Sequence, residues 1–325
     1  MPWSQLSIMD QKTQFIADYL RHSLSFTELC ALSHVSRKTG YKWVARYEEL
    51  GAPGLGDLPR RPHSCPHQTP PEVAAALVEA RRLHPTWGAK KLLAILSRRD
   101  PSRPWPSRSA ACAILARHGL IRPARKRRLI GHPGKPAGSS ARPNELWAAD
   151  FKGQFKTRDG RYCYPLTVTD DFSRFLVGCR GLRSTCVADS KAVFRDLFRE
   201  YGLPLRIRTD NGVPFATVSL ARLSRLSAWW VRLGVLPELI EPGRPQQNGR
   251  HERMHRTLKA EATRPPAHGL RSPQQAFDRF RREYNEERPH EALGMRTPGS
   301  LYRPGPRPFP ERLPALEYPG HFEKR

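Results

Sequence analysis

Proline is the residue that most constrains how this chain can fold. It occurs 32 times in 325 residues, roughly twice its average frequency in proteins. Because proline interrupts helices and removes a donor from sheets, one long helical bundle or a continuous coiled coil is not expected. The pattern predicts short elements joined by stiff linkers, and a chain of this length suggests about two or three domains.

The region 1–58 predicts a helix-turn-helix module. Ser25 and Glu28 have the spacing of a capping box that begins a short helix, and Ser36 can cap a basic helix that ends at Gly51. In this motif the start of the second helix meets the edges of DNA bases. The side chains in that position are Arg37, Lys38, Thr39 and Lys42. The alternative is an ordinary helical hairpin with a solvated basic face.

Four further segments lie before and after the largest domain of the chain. A linker at 59–70 contains His63, Cys65 and His67, whose spacing fits no common zinc pattern. Residues 71–122 predict three helices, the third capped by Ser107, as a second helix-turn-helix-like module. The basic linker 123–141 is expected to become ordered on phosphates, and the Pro-rich tail 303–325 has no assigned role.

The charge of the chain indicates a polyanionic partner. Lys and Arg number 56 against 30 Asp and Glu, a formal net charge of +26, which favours nucleic acid. A membrane surface would require a basic amphipathic helix with a strong apolar face, and no apolar run approaches the roughly 18 residues of a membrane span. The six cysteines form no Cys-x-x-Cys pair, as expected of reduced thiols in the cytoplasm.

The pattern of apolar and polar residues changes near residue 142, and an α/β domain is predicted over 142–302. Strands are predicted at 144–151, 162–170, 174–181, 204–209 and 237–241, and helices at 185–201, 220–233 and, after a loop, up to 262. This order of elements predicts a mixed sheet covered by helices. The predicted fold class is therefore multidomain, with all-α modules followed by an α/β core.

Three acidic residues stand at the ends of these elements. Asp150 ends the first strand, Asp210 ends the fourth, and Glu252 lies in the first turns of the last helix. The first and fourth strands of a mixed sheet can be neighbours, so the three carboxylates can meet in one site. Such a cluster requires a cation, and ligation by oxygen alone favours magnesium or manganese. Two such ions, about 4 Å apart, can promote attack on a phosphodiester.

Each acid also has a structural explanation, and other acids compete for the same role. Asp150 could cap a turn, Asp210 begins a good turn sequence, and Glu252 could pair with Arg256 four residues on. Further candidates for the metal are Asp170, Asp171, Glu238 and Glu241.

Four segments resemble the catalytic core of the integrase-type DDE transposases of bacterial insertion sequences, which has an RNase H-like fold. They are LWAADFKG at 146–153, RTDNG at 208–212, PGRPQQNGRHERMHRTLKAE at 242–261, and YNEERPHEALG at 284–294. The resemblance extends from 142 to 302, and the helical front half is similar to the helix-turn-helix modules that these enzymes use on the ends of their elements. The sequence departs from the family pattern in one respect, because the spacing between Asp210 and Glu252 is longer than usual.

The resemblance implies a function and a site. Asp150, Asp210 and Glu252 would bind two Mg²⁺ ions, with Mn²⁺ as a substitute, for strand cleavage and strand transfer by a homo-oligomer on DNA in the bacterial cytoplasm, at the nucleoid. Glu238 and Glu241 precede the PGRPQQNG loop and only Glu252 follows it, so the resemblance assigns the glutamate of the site to Glu252. It also implies structural roles for Asp170 and Asp171. Arg256 and Lys259 would contact DNA, and further DNA contacts are expected from Gln246, Asn248 and His255. The alternatives are a metal-dependent nuclease on the same core, and a sequence-specific DNA-binding regulator without activity.

Overall fold

The computed structural model describes residues 7–57, 68–121, 140–157, 159–217, 222–242, 245–262 and 271–313. The chain divides into two compact units, Met1–Gln68 and Thr69–Arg325. The His63, Cys65 and His67 cluster and nearly all of the basic linker lie outside the described residues. In the part of the chain that is described, no helix combines the length and apolar character needed to cross a lipid bilayer.

The first unit contains the predicted helix-turn-helix. Its helices are α1 (Ile8–Leu20), α2 (Phe26–Leu32) and α3 (Arg37–Leu50). The capping box of Ser25 and Glu28 is present, and the Ser36 hydroxyl accepts a hydrogen bond from the backbone of α3. A Cβ atom at Gly40 would lie 2.7 Å from Cys30 Sγ, so glycine allows α2 and α3 to pack closely over a small apolar core.

The second helical module begins the other unit. It consists of α4 (Pro71–Leu83), α5 (Ala89–Arg99) and α6 (Arg108–Arg117), and Ser107 caps α6 as predicted. Leu77, Leu92 and Leu115 are among the residues that fill its own core. The module shares a compact unit with the α/β domain, although the sequence suggested separate domains.

A polar interface, called here the module seam, joins this module to the α/β domain. Arg288 donates a hydrogen bond to Glu261 at 2.6 Å, and its guanidinium lies over the ring of Trp87. Further contacts are His84 Nδ1 to Glu283 Oε1 at 3.0 Å, Lys90 Nζ to Glu291 Oε2 at 3.2 Å, and the hydroxyl of Thr86 to Glu261. These contacts fix the second module on the α/β domain.

The α/β domain is built on a mixed six-stranded sheet. Its strands are β1 (Leu146–Phe151), β2 (Phe155–Lys156), β3 (Tyr162–Asp170), β4 (Leu176–Leu182), β5 (Arg206–Thr209) and β6 (Leu236–Leu239). β3 pairs with β4 and β1 in antiparallel directions, whereas β1–β5 and β5–β6 are parallel. The predicted adjacency of the first and fourth strands, now β1 and β5, is confirmed.

Helices cover the sheet from both sides. α7 (Val187–Tyr201) and α8 (Arg225–Arg232) contribute to the larger core with Phe194, Phe198 and Trp230. α9 (Gly249–Glu261) and α10 (Arg271–Arg282) contribute to a second core through Met254, Leu258 and other buried side chains. The domain is thus a three-layer α/β/α arrangement with α9 placed across β1 and β3.

The end of the domain lies beyond the predicted boundary at residue 302. After the short helix α11 (Pro298–Leu301) the chain returns over the core, where Arg307 donates to the carbonyl oxygens of Pro204 and Leu233. The ring of Phe309 packs near Phe198. The described part of the predicted tail, 303–313, is therefore packed on the α/β domain.

Candidate active site

The parallel pairing of β1 and β5 brings two of the predicted carboxylates together. Ala148 pairs with Arg208, and continuing this register by two residues places Asp150 beside Asp210. Side chains two residues apart point to the same face of a strand. Asp150 and Asp210 therefore lie at one level on neighbouring strands, at the ends where both strands leave the sheet.

The pKa of Asp150 also responds to the charge of the third carboxylate. Burial, the negative charge of Asp210 and, to a smaller extent, that of Glu252 together raise this pKa from 3.8 to about 7. The side chain is 21% exposed. Since both neighbouring carboxylates act on one group, the structure brings the three acids into one electrostatic neighbourhood.

Local backbone features hold the other two acids at the surface. The Gly212 N–H donates to Asp210 Oδ1 at 3.1 Å, and a Cβ atom at Gly212 would lie 3.3 Å from Asp210 Oδ2. Glu252 lies exposed in the first turn of α9, where the partial positive charge of the helix terminus favours an anion. Both carboxylates can thus be reached from solvent.

The donor chemistry of these acids fits a hard divalent cation. Three carboxylates that repel one another lose that repulsion when a dication binds between them, and oxygen ligands are those that Mg²⁺ prefers. Among the described residues, however, no group of three or more His, Cys, Asp or Glu side chains is arranged so that it could hold a metal ion. Metal binding by the three acids therefore stays a prediction from their chemistry.

A basic rim surrounds Glu252. Lys152, Arg256 and Lys259 line one surface depression together with Glu252 and His255. Arg256 and Lys259 are exposed on α9, and the charge of Lys152 lowers the pKa of Asp150. A phosphate chain lying across this depression would meet positive charge beside the carboxylates.

Not all of the residues predicted to contact DNA lie on the surface. Arg37, Lys38 and Lys42 are exposed on α3, and Thr39 is half-buried. Asn248 is buried below the surface, and the side chain of Gln246 lies outside the described residues. His255 is 6% exposed and points toward Asp150, so its burial does not match the expected DNA contact.

The competing acids are engaged elsewhere. Asp170 accepts hydrogen bonds from Asn144 N and from the backbone and hydroxyl of Ser173. Asp171 binds Arg250, with 2.6 Å between Oδ2 and Nη1. Glu238 forms ion pairs with Arg206 and Arg208 on the neighbouring strand. These contacts give the three acids structural roles.

The motif near the end of the domain also has a structural explanation. The Asn285 side chain accepts a hydrogen bond from Leu176 N and donates one to Leu176 O, which satisfies the backbone of β4. Arg288 binds Glu261 in the module seam. The YNEERPHEALG segment therefore holds the sheet and the second module together.

A buried polar network beneath Asp150 was not predicted. It consists of Thr167 and Thr169 on β3 and of His251 and His255 on α9. Burial lowers the pKa of His251 to about 3 and that of His255 to about 2, so both imidazoles are neutral. The sequence signals were two histidines four residues apart on either side of Glu252 and two threonines alternating in an apolar strand.

Known families match most of the chain. The integrase core domain matches residues 140–245, and a second integrase core domain family matches 233–298. A helix-turn-helix domain matches 11–63, and a homeodomain-like domain matches 39–115. These matches agree with helical modules followed by an α/β integrase core.

Two relatives come from bacterial insertion elements. The uncharacterized 39.2 kDa protein of insertion element IS476 from Xanthomonas euvesicatoria is 31% identical over 240 residues, 70% of this chain and 64% of the relative. The uncharacterized 31.7 kDa protein of insertion element IS407 from Burkholderia multivorans is 29% identical over 237 residues, 70% of this chain and 80% of the relative. The chain thus spans slightly under two thirds of the first and most of the second.

A solved structure is similar to part of the chain. The catalytic core domain of HTLV-2 integrase in complex with magnesium covers 50% of this chain and 99% of its own length, at 17% identity and a TM-score of 0.40. The fold assignment rests on the strand order and the family matches. The chain therefore contains an integrase core domain and helix-turn-helix domains by family match, and it is similar to proteins of bacterial insertion elements.

Proposed function

We propose that the protein binds the ends of a mobile DNA element and catalyses metal-dependent strand cleavage and strand transfer in the site formed by Asp150, Asp210 and Glu252. The observation that carries this proposal is the parallel register of β1 and β5, which sets Asp150 beside Asp210, and the raised pKa of Asp150, to which both other carboxylates contribute, agrees with it. Carboxylates held close together repel one another unless they bind a cation, and the net charge of +26 favours a polyanion on which that cation could act.

The residues of the site would have different roles according to their position. The three carboxylates would hold the metal, and Arg256 and Lys259 on α9 would hold the DNA phosphates beside it. Bound divalent ions would activate the attacking oxygen and stabilise the leaving oxygen of the phosphodiester. Water would be the attacking group in cleavage, and the freed 3′-hydroxyl of the element would be the attacking group in strand transfer.

Recognition of the ends belongs to the helical modules in this proposal. Arg37, Lys38 and Lys42 are exposed at the start of α3, the part of a recognition helix that reads base edges. The module seam holds α4–α6 on the catalytic domain, so DNA bound by the second module would be held in a fixed relation to the carboxylates. Assembly of several copies around two ends is part of the proposal.

The test uses the full chain and DNA carrying the inverted repeats that flank its gene. With Mn²⁺ or Mg²⁺ the wild type should nick the labelled end and join it to a target. Asp150→Asn, Asp210→Asn and Glu252→Gln should reduce cutting at least about a thousandfold, since each removes a metal ligand, and should keep end binding in a gel-shift assay.

Other outcomes separate the alternatives. A matched substitution of an exposed acid, Asp196→Asn, should leave cutting unchanged. Nicked but never joined products would favour the nuclease. Binding of end DNA without any cutting in either metal would favour the inactive regulator, and equal cutting by the wild type and all three site variants would overturn the site.

A further inference from the structure

Thr167 is the centre of the buried network under Asp150. It lies opposite Asp150 in the antiparallel register of β1 and β3, and its side chain is wholly buried. Its hydroxyl oxygen is 3.0 Å from the Asp150 carbonyl oxygen, 2.8 Å from His251 Nε2 and 2.6 Å from His255 Nε2. One hydroxyl group therefore connects the strand that carries Asp150 to the helix that carries Glu252.

Counting hydrogens fixes the direction of these three bonds. A hydroxyl has one hydrogen to donate and two lone pairs to accept with. The Asp150 carbonyl oxygen has no hydrogen, so the Thr167 hydroxyl must donate to it. Both imidazoles must then donate to the Thr167 oxygen, which requires His251 and His255 to carry their hydrogen on Nε2.

The remaining ring nitrogens agree with this assignment. His251 Nδ1 lies 2.8 Å from Thr169 Oγ1, and the Thr169 hydroxyl can donate to its lone pair. His255 Nδ1 lies 3.7 Å from Asp150 Oδ2, beyond the length of a hydrogen bond. The nitrogen of His255 that faces the carboxylate is thus the one without a hydrogen.

We infer that Thr167 is a positioning residue, which keeps the His255 N–H directed away from Asp150 and so leaves both oxygens of that carboxylate available to a divalent cation. If His255 carried its hydrogen on Nδ1, the ring would have a donor next to Oδ2 and would compete with the metal for the carboxylate. The inference rests on the proposed function for its role in metal binding, whereas the tautomers are a property of the folded chain.

The same network also sets the distance between the two carboxylate-bearing elements. The hydroxyl of Thr167 ties β1, through the carbonyl of Asp150, to two successive turns of α9, and Glu252 lies between the two histidines in that helix. Removing the hydroxyl while keeping the shape of the side chain would loosen this connection without leaving a cavity. Thr167→Val makes that change, and Thr167→Ser restores the hydroxyl.

The first experiment reads the tautomers directly, by long-range ¹H–¹⁵N correlation spectra of the ¹⁵N-histidine-labelled full chain, with His255→Asn for assignment. His251 and His255 should both show the Nε2–H pattern in the wild type. In Thr167→Val, His255 should shift toward Nδ1–H, and Thr167→Ser should restore the wild-type pattern. An Nδ1–H tautomer at either histidine in the wild type overturns the inference, and this holds even if the valine variant does not fold.

The second experiment measures Mn²⁺ binding by calorimetry. Thr167→Val should weaken the apparent affinity about tenfold with end binding unchanged, and Thr167→Ser should stay within about twofold of the wild type. The matched control is Thr209→Val, which removes a buried hydroxyl that has no partner among the described residues, and it should bind as the wild type does. A folded Thr167→Val variant with wild-type affinity overturns the inference.

The two proposals fail in different ways. Wild-type protein that shows both Nε2–H tautomers but neither binds Mn²⁺ nor cuts DNA would overturn the proposed function, and with it the role of Thr167 in metal binding. A protein that cuts DNA with an Nδ1–H tautomer at His255 would overturn the role of Thr167 alone.

Discussion

The pKa of the Asp150 carboxyl group is strongly altered by its surroundings. Burial and the charges of Asp210 and Glu252 raise its pKa to about 7, so without a cation it takes up a proton near neutral pH. A divalent ion would replace that proton, and binding should release it to solvent. Metal affinity should accordingly rise with pH around neutrality.

The raised pKa predicts how Asp150→Asn changes stability. A carboxyl group whose pKa is higher in the folded chain than in the unfolded chain favours folding when protonated, and this contribution is lost as the pH rises from about 4 toward 7. In metal-free buffer the variant should therefore be more stable than the wild type at pH 8, by roughly 2–4 kcal/mol, and nearly equal to it at pH 4.

Chemical denaturation of the two proteins at both pH values measures this difference. Asp196→Asn is the control, because that carboxylate is mostly exposed and its loss should change stability little at either pH. If the stability of Asp150→Asn relative to the wild type were the same at pH 4 and pH 8, Asp150 would not be held in a repulsive site.

The sequence predicted the three acids but not the groups that lie beneath Asp150. Asp150, Asp210 and Glu252 stand at the ends of elements that periodicity could identify, and the family motifs contain them. The hydrogen bond between Thr167 and His255 joins residues 88 positions apart, and it depends on the register of β3 and the rotation of α9. Neither quantity is encoded in a local pattern.

At the level of elements, caps and periodicity predicted most helices and strands. Ser25, Ser36 and Ser107 begin α2, α3 and α6 as predicted. The two-residue strand β2 was not predicted, since so short a strand has no alternation to detect. The helix predicted at 220–233 begins at Arg225, where Ser224 provides the cap.

The module seam could not be predicted, because it joins side chains that are far apart in sequence. Its contribution to stability can be tested at Glu261. The Arg288 side chain is 8% exposed and donates to Glu261. Glu261→Gln removes the compensating charge and leaves a buried guanidinium unpaired, which should cost roughly 3 kcal/mol. Urea denaturation of the full chain measures the loss.

Glu291→Gln provides the matched control for the seam. It removes the partner of Lys90, but this pair is largely exposed, and such pairs contribute less than about 1 kcal/mol. Equal effects of the two substitutions would mean that the Arg288 contact is not an important part of the seam.

At the scale of the whole molecule, the site is a small anionic region in a strongly cationic chain. The net charge of +26 attracts DNA at long range, and its effect should fall steeply as salt rises. The carboxylates would repel the same phosphates unless metal neutralised them. This opposition between the chain and its site is the physical reason to expect a metal-dependent activity on DNA.

Calorimetric titration of the full chain with Mn²⁺, before any DNA is added, tests the central claim most directly. The wild type should bind Mn²⁺, and Asp150→Asn, Asp210→Asn and Glu252→Gln should each weaken binding at least about tenfold, because one dication would be shared by carboxylates from β1, the end of β5 and α9. Binding of Mn²⁺ by all three variants with the affinity of the wild type would contradict the account.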